Sequence, residues 1–573
     1  MNIIHRISEE EQANVPNWNL DPILTNILWS RGVRCPNEAV YPIDNILRPT
    51  LKGVDRVAAE LADAVISGQS IMIVGDYDAD GATSTALAIR FFRDIGYNNI
   101  CFEIPSRQDD GYGLNNSIVM GAVSRGVNII ITVDNGITAC ESVRLAVSQG
   151  IKVYVTDHHL PGENLPVAQG IINPHMPGDD FPSKNLAGVG VIFYVIAALR
   201  GELFRRNYFQ ERDIKIPVVS NYLDFVALGT IADMVPLDYN NRLMVSYGVG
   251  LIREGKTTGG LLELIKICGL SYQNFKSSDI SFSLCPRINA AGRIADMKFG
   301  VQCLLAEKND EAKVGASLLH NYNIERRNIE SVMMGTALTQ IRLEYDNILP
   351  EALVLYNSSF NAGVMGIVAA KIKDLTGLTT IILSDSPEED YLVGSVRGTE
   401  GYHVCDALKR ISAAHPEFFK AYGGHRGAAG LTVAREFLTS FKEEFILDCR
   451  RFSGEKKDEV IVTDGSLPDS YFVSEFARVL VYDQPWGTEF TSPLFDGVYM
   501  LVNHYVVGGK HLSVKVRLEN GLVVSGIYYN YDVRNWPNNS VRQVRMVFGF
   551  DLSKNRCDAS LKLIIRNMEP LNC

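Results

Sequence analysis

Residues 71–85 read IMIVGDYDADGATST. The first four are apolar, and they predict a strand that is buried on both faces of a sheet. Residues 83–94 then have the pattern of a helix. Three carboxylates lie between the two elements, at Asp76, Asp78 and Asp80. An acidic loop between a buried strand and a helix indicates an α/β sheet that holds a ligand at its strand ends.

The same alternation of apolar runs and helical segments continues to about residue 235. Further strands are predicted at residues 128–133, 152–156 and 170–172, and a further helix at 138–148. Continuous β-branched runs separated by helices favour a parallel sheet that is covered on both faces. We therefore predict an α/β lobe built on that sheet.

Acidic and imidazole side chains follow these strands. Asp134 comes after the second, Asp157, His158 and His159 come after the third, and Asp233 ends a later apolar run that we also interpret as a strand. The carboxyl ends of parallel strands meet at one edge of a sheet, so we expect all of these groups to lie together. A single Asp-x-Asp pair is more often a turn or a helix cap, but the ordered set predicts a functional site.

Six Asp and two His at one edge would repel one another without cations. Oxygen-rich sites with few imidazoles suit Mn²⁺ or Mg²⁺. Two such ions roughly 3.5–4 Å apart activate a water and stabilise both oxygens of an in-line displacement at phosphorus. The sequence therefore predicts phosphodiester hydrolysis with two Mn²⁺ or Mg²⁺ ions, in which Asp76 and His159 orient ligands rather than bind metal directly.

The rest of the chain has a different character. Residues 300–345 predict long helices between two lobes, and residues 351–450 begin a second α/β pattern with strands at 352–355 and 380–383 and a helix at 366–375. Residues 511–518 and 541–550 alternate with period two, which predicts a small antiparallel barrel. We predict five divisions, at residues 1–50 (N-terminal segment), 51–260 (catalytic), 261–350 (helical connector), 351–455 (second lobe) and 456–573 (barrel).

Composition restricts the class of protein. The formal net charge is -11, but residues 500–573 carry ten Lys and Arg against five Asp and Glu, a local +5, so the remainder carries -16. Net charge alone therefore neither supports nor excludes a nucleic-acid substrate.

The ten cysteines contain no C-x-x-C pair and are typical of reduced thiols. No apolar run approaches the roughly 18–20 residues of a membrane span, and the N-terminus lacks signal-peptide features, so we expect a cytoplasmic protein.

Several ordered motifs carry a resemblance to a known family. They are GDYDADGATST (75–85), DDGYGL (109–114), TVDNGI (132–137), VTDHHLPG (155–162), ALGTIAD (227–233), PRINAAGR (286–293) and GGHRGAAG (423–430). Together they resemble the DHH phosphoesterase superfamily, and in particular its exonucleases specific for single-stranded DNA, across nearly the whole chain. The resemblance implies a parallel-sheet DHH lobe, long connecting helices, an α/β DHHA1 lobe that grips DNA phosphates, and a C-terminal β-barrel of the OB-fold type.

The resemblance also implies roles for individual residues. The implied catalytic set is Asp78, Asp80, Asp134, His158, His159 and Asp233. The implied metal-binding set is Asp78, Asp80, Asp134, His158 and Asp233, supported by Asp76 and Asp157. The implied substrate-binding set is Arg107, Arg287, Asn289, Arg293, Ser395, Arg397, Gly424 and His425. Arginine suits contacts with phosphate because its planar fork binds two oxygens at once.

The activity implied by the resemblance is 5′→3′ hydrolysis of single-stranded DNA to mononucleotides in repair and recombination. The implied partners are a helicase and single-stranded DNA-binding protein, and motif spacing alone does not reveal the polarity. A basic barrel would grip single strands by charge and by base stacking. Tyr528, Tyr529 and Trp536 are the candidates for stacking, although aromatic residues in barrels are more often core.

Two alternatives remain open from the sequence. A DHH phosphoesterase acting on short oligonucleotides or cyclic dinucleotides would generally lack the C-terminal extension. A non-catalytic scaffold would typically lose metal ligands, whereas this chain keeps every acidic position. Two departures from the family pattern lie in the second lobe: Phe360 and Asn361 stand where relatives usually carry Trp-His, and Gly398 stands where Ser is common.

Overall fold

The computed structural model describes residues 1–106, 113–307, 309–346, 348–452, 460–533, 535–538, 540–552 and 560–571. The chain begins with strand β1 (Asn2–His5) and two helices, Glu9–Ala13 and Pro22–Trp29. No helix in these ranges has the length and apolar character needed to cross a bilayer.

The first lobe is built on a five-stranded parallel sheet. Its strands are β2 (Ile71–Val74), β3 (Ile100–Glu103), β4 (Ile129–Val133), β5 (Lys152–Thr156) and β6 (Gly170–Ile172), in the order β3-β2-β4-β5-β6. Alternate residues of β2 enter two hydrophobic cores, Ile71 and Ile73 on one face and Met72 and Val74 on the other. The predicted parallel sheet with two covered faces is confirmed, and β3 is an additional edge strand.

Helices cover both faces of this sheet. They are Val54–Ile66, Ala79–Asp94, Asn116–Ser124, Cys140–Ser148, Gly188–Arg205, Tyr208–Glu211, Leu223–Ala232 and Tyr239–Arg253. The predicted strand that ends at Asp233 is wrong, because residues Leu223–Ala232 form a helix. Every residue from Leu223 to Ile231 is buried, so the apolar pattern that marks one helix face is lost. A short, fully buried helix and a buried strand look alike in sequence for that reason.

A helical connector follows the first lobe. Its helices are Gly259–Ile267, Ser277–Asp279, Cys285–Ile294, Lys298–Leu305 and Asn309–Tyr345. The last of these has 37 residues, which corresponds to roughly 55 Å at 1.5 Å per residue. The predicted long connecting helices are therefore confirmed.

The second lobe is a mixed sheet with helices. Its strands are β7 (Ala352–Tyr356), β8 (Thr379–Asp385), β9 (Tyr391–Arg397), β10 (Phe419–Gly424) and β11 (Ala428–Ala434), in the order β10-β11-β9-β8-β7. Only β7 and β8 are parallel neighbours. The helices are Met365–Thr376, Val404–Ala414 and Leu438–Phe452.

The C-terminal part forms a closed barrel. Strand β12 (Val460–Thr463) pairs with β1, and after the helix Ser474–Arg478 come β13 (Phe495–Val507), β14 (His511–Arg517), β15 (Val523–Tyr529), β16 (Gln543–Leu552) and β17 (Leu561–Leu571). The barrel closes in the order β13-β14-β15-β17-β16. Only β15 and β17 are parallel neighbours, and the five-stranded closure is that of an OB-fold barrel.

A buried ion pair joins the N-terminal segment to the segment that leads into the barrel. Arg31 donates from Nη1 to Asp464 Oδ1 over 2.6 Å and from Nη2 to Oδ2 over 2.9 Å. Arg31 Nε also donates to the Thr491 carbonyl oxygen over 2.5 Å. A bidentate arginine contact of this kind fixes the relative orientation of the two segments.

Candidate metal centre and nucleic-acid site

The acidic loop after β2 is organised by a helix cap. Asp78 is the N-cap of helix Ala79–Asp94, and its Oδ1 accepts hydrogen bonds from the backbone N–H groups of Asp80, over 2.9 Å, and Gly81, over 3.1 Å. The first N–H groups of a helix have no partner within it, so a carboxylate is a favourable cap. The cap fixes the direction in which the Asp78 carboxylate faces the site.

Asp80 lies in the first turn of helix Ala79–Asp94, and its carboxylate faces the N-terminus of a second helix. Its Oδ2 accepts from the Gly188 N–H over 2.6 Å and its Oδ1 from the Val189 N–H over 3.0 Å, at the N-terminus of helix Gly188–Arg205. Burial and the charge of Asp78 nevertheless raise the pKa of Asp80 to about 7. The two backbone donors therefore only partly offset the cost of placing this charge in the interior.

Asp134 follows β4 in a left-handed backbone conformation, with φ of 61°. It is buried, and burial together with the neighbouring Asp80 and Asp78 raises its pKa well above the ordinary value. Non-glycine residues adopt this conformation at some cost and often at functional sites. The strain and the raised pKa together indicate that the fold forces this carboxyl into the cluster.

Asp157 orients the histidines that follow it. Its Oδ1 accepts from the backbone N–H groups of His158 (2.8 Å) and His159 (3.1 Å) and lies 2.7 Å from His159 Nδ1. Its Oδ2 accepts from the Ile137 N–H over 2.9 Å. Burial alone would raise the pKa of Asp157, but the bonds to His159 and the backbone lower it. Asp157 thus fixes the orientation of the His159 ring.

His158 faces two carboxylates. Its Nε2 lies 3.1 Å from Asp134 Oδ1 and 3.5 Å from Asp233 Oδ2, and the ring also hydrogen-bonds to the Leu186 backbone. Burial and the neighbouring His159 lower the pKa of His158 to about 4, so the ring is neutral at pH 7. A neutral imidazole lone pair that faces two carboxylates fits a cation between them, and a second ring nitrogen bonded to a carbonyl is typical of metal ligands.

Three overlapping groups have ligand atoms within 4.8 Å of one another. They are Asp134, His158 and His159; Asp80, His158 and Asp233; and Asp76, Asp78 and Asp134. Burial, with Asp80 and Asp78 nearby, raises the pKa of Asp233 to about 8. The raised pKa values of Asp80, Asp134 and Asp233 show that these carboxyls are crowded. An oxygen-rich set of this kind fits hard divalent cations, which would relieve the repulsion.

The groups compare closely with the sequence prediction. All the predicted acidic and imidazole residues converge, and Asp157, which belongs to none of the three groups found among the described residues, reaches them through His159. Asp76 and His159 each belong to one group, although we expected both only to orient ligands. Asp233 reaches the site as the C-cap of a helix rather than as the end of a strand.

In the second lobe, Ser395 and Arg397 lie together on β9, where Arg397 Nη1 donates to Ser395 Oγ over 2.8 Å. Gly424 ends β10, and His425 is exposed in the following turn, where its backbone N–H donates to the Ala428 carbonyl oxygen over 2.8 Å. The lobe therefore presents an arginine and an exposed histidine at the ends of two nearby strands, β9 and β10 being separated by β11.

The remaining predicted substrate contacts bind protein groups. Arg287 is buried and donates from Nε to His320 Nδ1 over 3.1 Å and from Nη1 to the Ser283 carbonyl oxygen over 2.6 Å. Asn289 and Arg293 also bond to backbone groups. Arg107 lies outside the described residues. His320 was not singled out from the sequence, because a lone histidine on a long helix carries no local signal.

Both departures in the second lobe have structural partners. Phe360 is buried in a hydrophobic core, and Asn361 Oδ1 accepts from the Gly363 N–H over 2.9 Å. At Gly398 a Cβ would lie 2.5 Å from Val404 Cγ2, so a larger residue requires Val404 to shift. In the barrel, Tyr528 and Trp536 are core residues, whereas Tyr529 is 47% exposed.

Known protein families match three parts of this chain. The DHH family N-terminal domain matches residues 70–230, the DHHA1 domain residues 350–449 and the RecJ OB domain residues 463–567. The single-stranded-DNA-specific exonuclease RecJ of Escherichia coli (strain K12) is 40% identical over 578 residues, which is 99% of each chain. The chain belongs to the RecJ family. The RecJ of Haemophilus influenzae is 36% identical over 96% of each chain.

Solved RecJ structures share the fold. The RecJ of Thermus thermophilus, solved in complex with Mn²⁺, has a TM-score of 0.81 and 25% identity, covering 100% of this chain and 80% of that one. An exonuclease RecJ bound to manganese has a TM-score of 0.58 and 31% identity, covering 70% and 95%. These matches confirm the predicted arrangement of DHH lobe, DHHA1 lobe and OB barrel.

Proposed function

We propose that the protein is a metal-dependent exonuclease that hydrolyses single-stranded DNA. The observation that carries the proposal is the convergence of seven carboxyl and imidazole side chains at one sheet edge, in a chain that is similar over its whole length to RecJ exonucleases. We further propose 5′→3′ polarity, mononucleotide products and a requirement for two Mn²⁺ or Mg²⁺ ions.

The residues of the first lobe would hold both ions. Asp76, Asp78 and Asp134 form one set of ligands, and His158 with Asp80 and Asp233 contributes the other. When bound, two such ions activate a water and neutralise the oxygens of a phosphodiester during in-line displacement. Asp157 keeps the His159 ring in one orientation, and we assign that ring to catalysis at the reacting phosphate.

The second lobe and the connector would position the DNA. We assign Arg397 and His425, with Ser395 and Gly424 beside them, to phosphates at or near the scissile bond. We assign Arg107, Arg287 and Arg293 to the DNA backbone and its 5′ end, because the arginine fork matches phosphate oxygens. The departures at Phe360, Asn361 and Gly398 then alter grip or rate, since all of them lie in the second lobe and not in the metal cluster.

The barrel would hold the single strand away from the site. Tyr529 pairs across the sheet with His511, and Lys515 pairs with Ser525 further along the same two strands. Lys515, Arg517 and Tyr529 are exposed on the outer face. Cations on the same outer face as an exposed aromatic ring bind a strand by charge and by base stacking without sequence preference.

The cellular setting is part of the same proposal. Because the chain belongs to a family of DNA exonucleases, we propose that it acts in the cytoplasm in DNA repair and recombination. Its partners there would be a helicase and single-stranded DNA-binding protein. We also retain the division of the chain at residues 1–50, 51–260, 261–350, 351–455 and 456–573, with the DHH catalytic domain second and the OB barrel last.

The test is digestion of a long single-stranded oligonucleotide labelled at its 5′ end, in Mn²⁺, Mg²⁺ or EDTA. We expect metal-dependent release of labelled mononucleotide that is lost in Asp134→Ala and retained in the control Asp374→Ala, whose side chain is 69% exposed on the second lobe. Release from a 3′ label first would refute the polarity. A preference for dinucleotides over long strands would favour the small-substrate phosphoesterase instead.

A further inference from the structure

The acidic loop is held from outside its own lobe. Asn289 Oδ1 accepts a hydrogen bond from the Ala79 N–H over 2.7 Å. Ala79 is the first residue of helix Ala79–Asp94, and Asp78 already takes the next two N–H groups of that helix. Asn289 therefore completes a helix cap in which Asp78 is the other member.

The same connector helix, Cys285–Ile294, touches the loop a second time. A Cβ at Gly292 would lie 1.8 Å from the Tyr77 carbonyl oxygen. Any larger residue would thus displace either the helix or the backbone between Asp76 and Asp78. Asn289 and Gly292 lie three residues apart, so they occupy one face of the helix, and that face defines the position of the acidic loop.

The end of this helix touches the second lobe. Arg293 Nη1 donates to the Gly363 carbonyl oxygen over 3.1 Å, and a Cβ at Gly363 would lie 2.0 Å from the Arg293 carbonyl oxygen. Gly363 shortly precedes helix Met365–Thr376. In the first turn of that helix, a Cβ at Gly366 would lie 2.4 Å from Arg397 Nη2. One short helix thus connects the metal ligands with the arginine assigned to phosphate.

We infer that helix Cys285–Ile294 is a spacer that sets the metal cluster relative to the phosphate-binding lobe, with Asn289 as a positioning residue for Asp78 and not a DNA contact. The inference rests on the proposed function, because it concerns how that site is assembled. Groups that orient metal ligands typically change metal affinity or activity by about 10- to 100-fold when they are removed.

The first experiment separates the two roles of Asn289. In full-length Asn289→Leu, which removes the acceptor at similar volume, we expect Mn²⁺ affinity measured by electron paramagnetic resonance to fall about 10- to 100-fold. Affinity for a labelled single strand in EDTA should not change. Asn289→Asp retains an acceptor and should recover Mn²⁺ affinity. Unchanged Mn²⁺ binding, with or without weaker DNA binding, would overturn the inference.

A matched pair of variants tests the two contacts of the helix, one with the acidic loop and one with the second lobe. Gly292→Ala faces the acidic loop and should weaken Mn²⁺ binding. Gly363→Ala faces the other lobe and should lower kcat on single-stranded DNA while Mn²⁺ affinity is kept. Alanine improves helix propensity at position 292, so a loss there comes from the close contact. Equal effects of both variants on Mn²⁺ affinity would contradict the spacer.

A readout that needs no metal distinguishes this inference from the proposed function. In EDTA, hydrogen exchange of the Ala79 amide should be faster in Asn289→Leu than in the unmodified protein, because its acceptor is gone. Equal exchange would refute the positioning role. An unmodified protein that binds Mn²⁺ but does not degrade single strands would refute the proposed function alone.

Discussion

Asp80 and Asp157 are both buried aspartates at the acidic edge of the first sheet. Removing the charge of each should change the free energy of unfolding in opposite directions. Raising the pKa of Asp80 from 3.8 to about 7 costs about 4 kcal/mol of folding free energy once the group is ionised, since one pKa unit equals about 1.36 kcal/mol. An asparagine resembles the protonated acid and keeps one acceptor oxygen. Losing one backbone hydrogen bond costs about 1 kcal/mol, so Asp80→Asn should gain about 3 kcal/mol at pH 8 without metal.

The sign follows from proton binding. The folded pKa of Asp80 lies above its ordinary value, so the folded state binds the proton more tightly and loses stability as pH rises from about 4 to about 7. The folded pKa of Asp157 lies below its ordinary value, so its charge stabilises the fold above about pH 4 and that contribution is lost as pH falls. Asp157→Asn should therefore be destabilising at pH 8.

The assay is thermal unfolding of full-length protein in EDTA from pH 5 to pH 8. Asp80→Asn should unfold at a higher temperature than the unmodified protein at pH 8, with a difference that shrinks on acidification, and Asp157→Asn at a lower one. Saturating Mn²⁺ should reduce the advantage of Asp80→Asn, because the loss of a carboxylate ligand weakens metal binding and therefore removes part of the stabilisation that the bound ion gives to the folded state. Equal destabilisation by both variants in EDTA would refute the reasoning.

Three further predictions concern other parts of the chain. Tyr529→Ala should weaken single-strand binding, measured by fluorescence anisotropy, by about 1–3 kcal/mol without lowering the unfolding temperature. Tyr528→Ala should lower the unfolding temperature, measured by calorimetry, without weakening DNA binding, because that ring is in the core. A stability loss in both variants would contradict the assignment. Arg397→Lys should raise KM for DNA, because an ammonium cannot form the two-pronged phosphate contact; unchanged steady-state kinetics would count against it. Arg31→Ala leaves Asp464 buried without its bidentate partner, which should cost about 3–5 kcal/mol and speed limited proteolysis between residues 460 and 494. A digest unaltered from the unmodified protein would disprove the role of this ion pair.

Much of the architecture could be predicted from local pattern. Four apolar residues before Gly75, and similar runs before Asp134 and Asp157, indicated a parallel sheet with acidic strand ends, because such strands are buried on both faces. Alternation with period two at residues 511–518 predicted the barrel for an equally local reason. These signals depend only on residues that are close together in the sequence, so the sequence alone reveals them.

The helix before Asp233 is an element whose type the local sequence pattern does not predict. Its residues are buried on all sides, so its sequence carries no periodicity that separates a helix from a strand. Asp233 was still predicted as a site residue, because it directly follows the element whether that element is a helix or a strand. Only the tertiary structure decided which kind of element brings it there.

The partners of the site residues were decided by tertiary structure. The bond from Ala79 to Asn289 spans 210 residues, and the bond from Gly188 to Asp80 spans 108. The sequence by itself predicted which side chains form the acidic cluster and determined at which strand ends most of them stand. It did not reveal that Asn289 caps the acidic loop or that a helix N-terminus faces Asp80, because such contacts depend on how separately formed elements dock, and docking leaves no period in the chain.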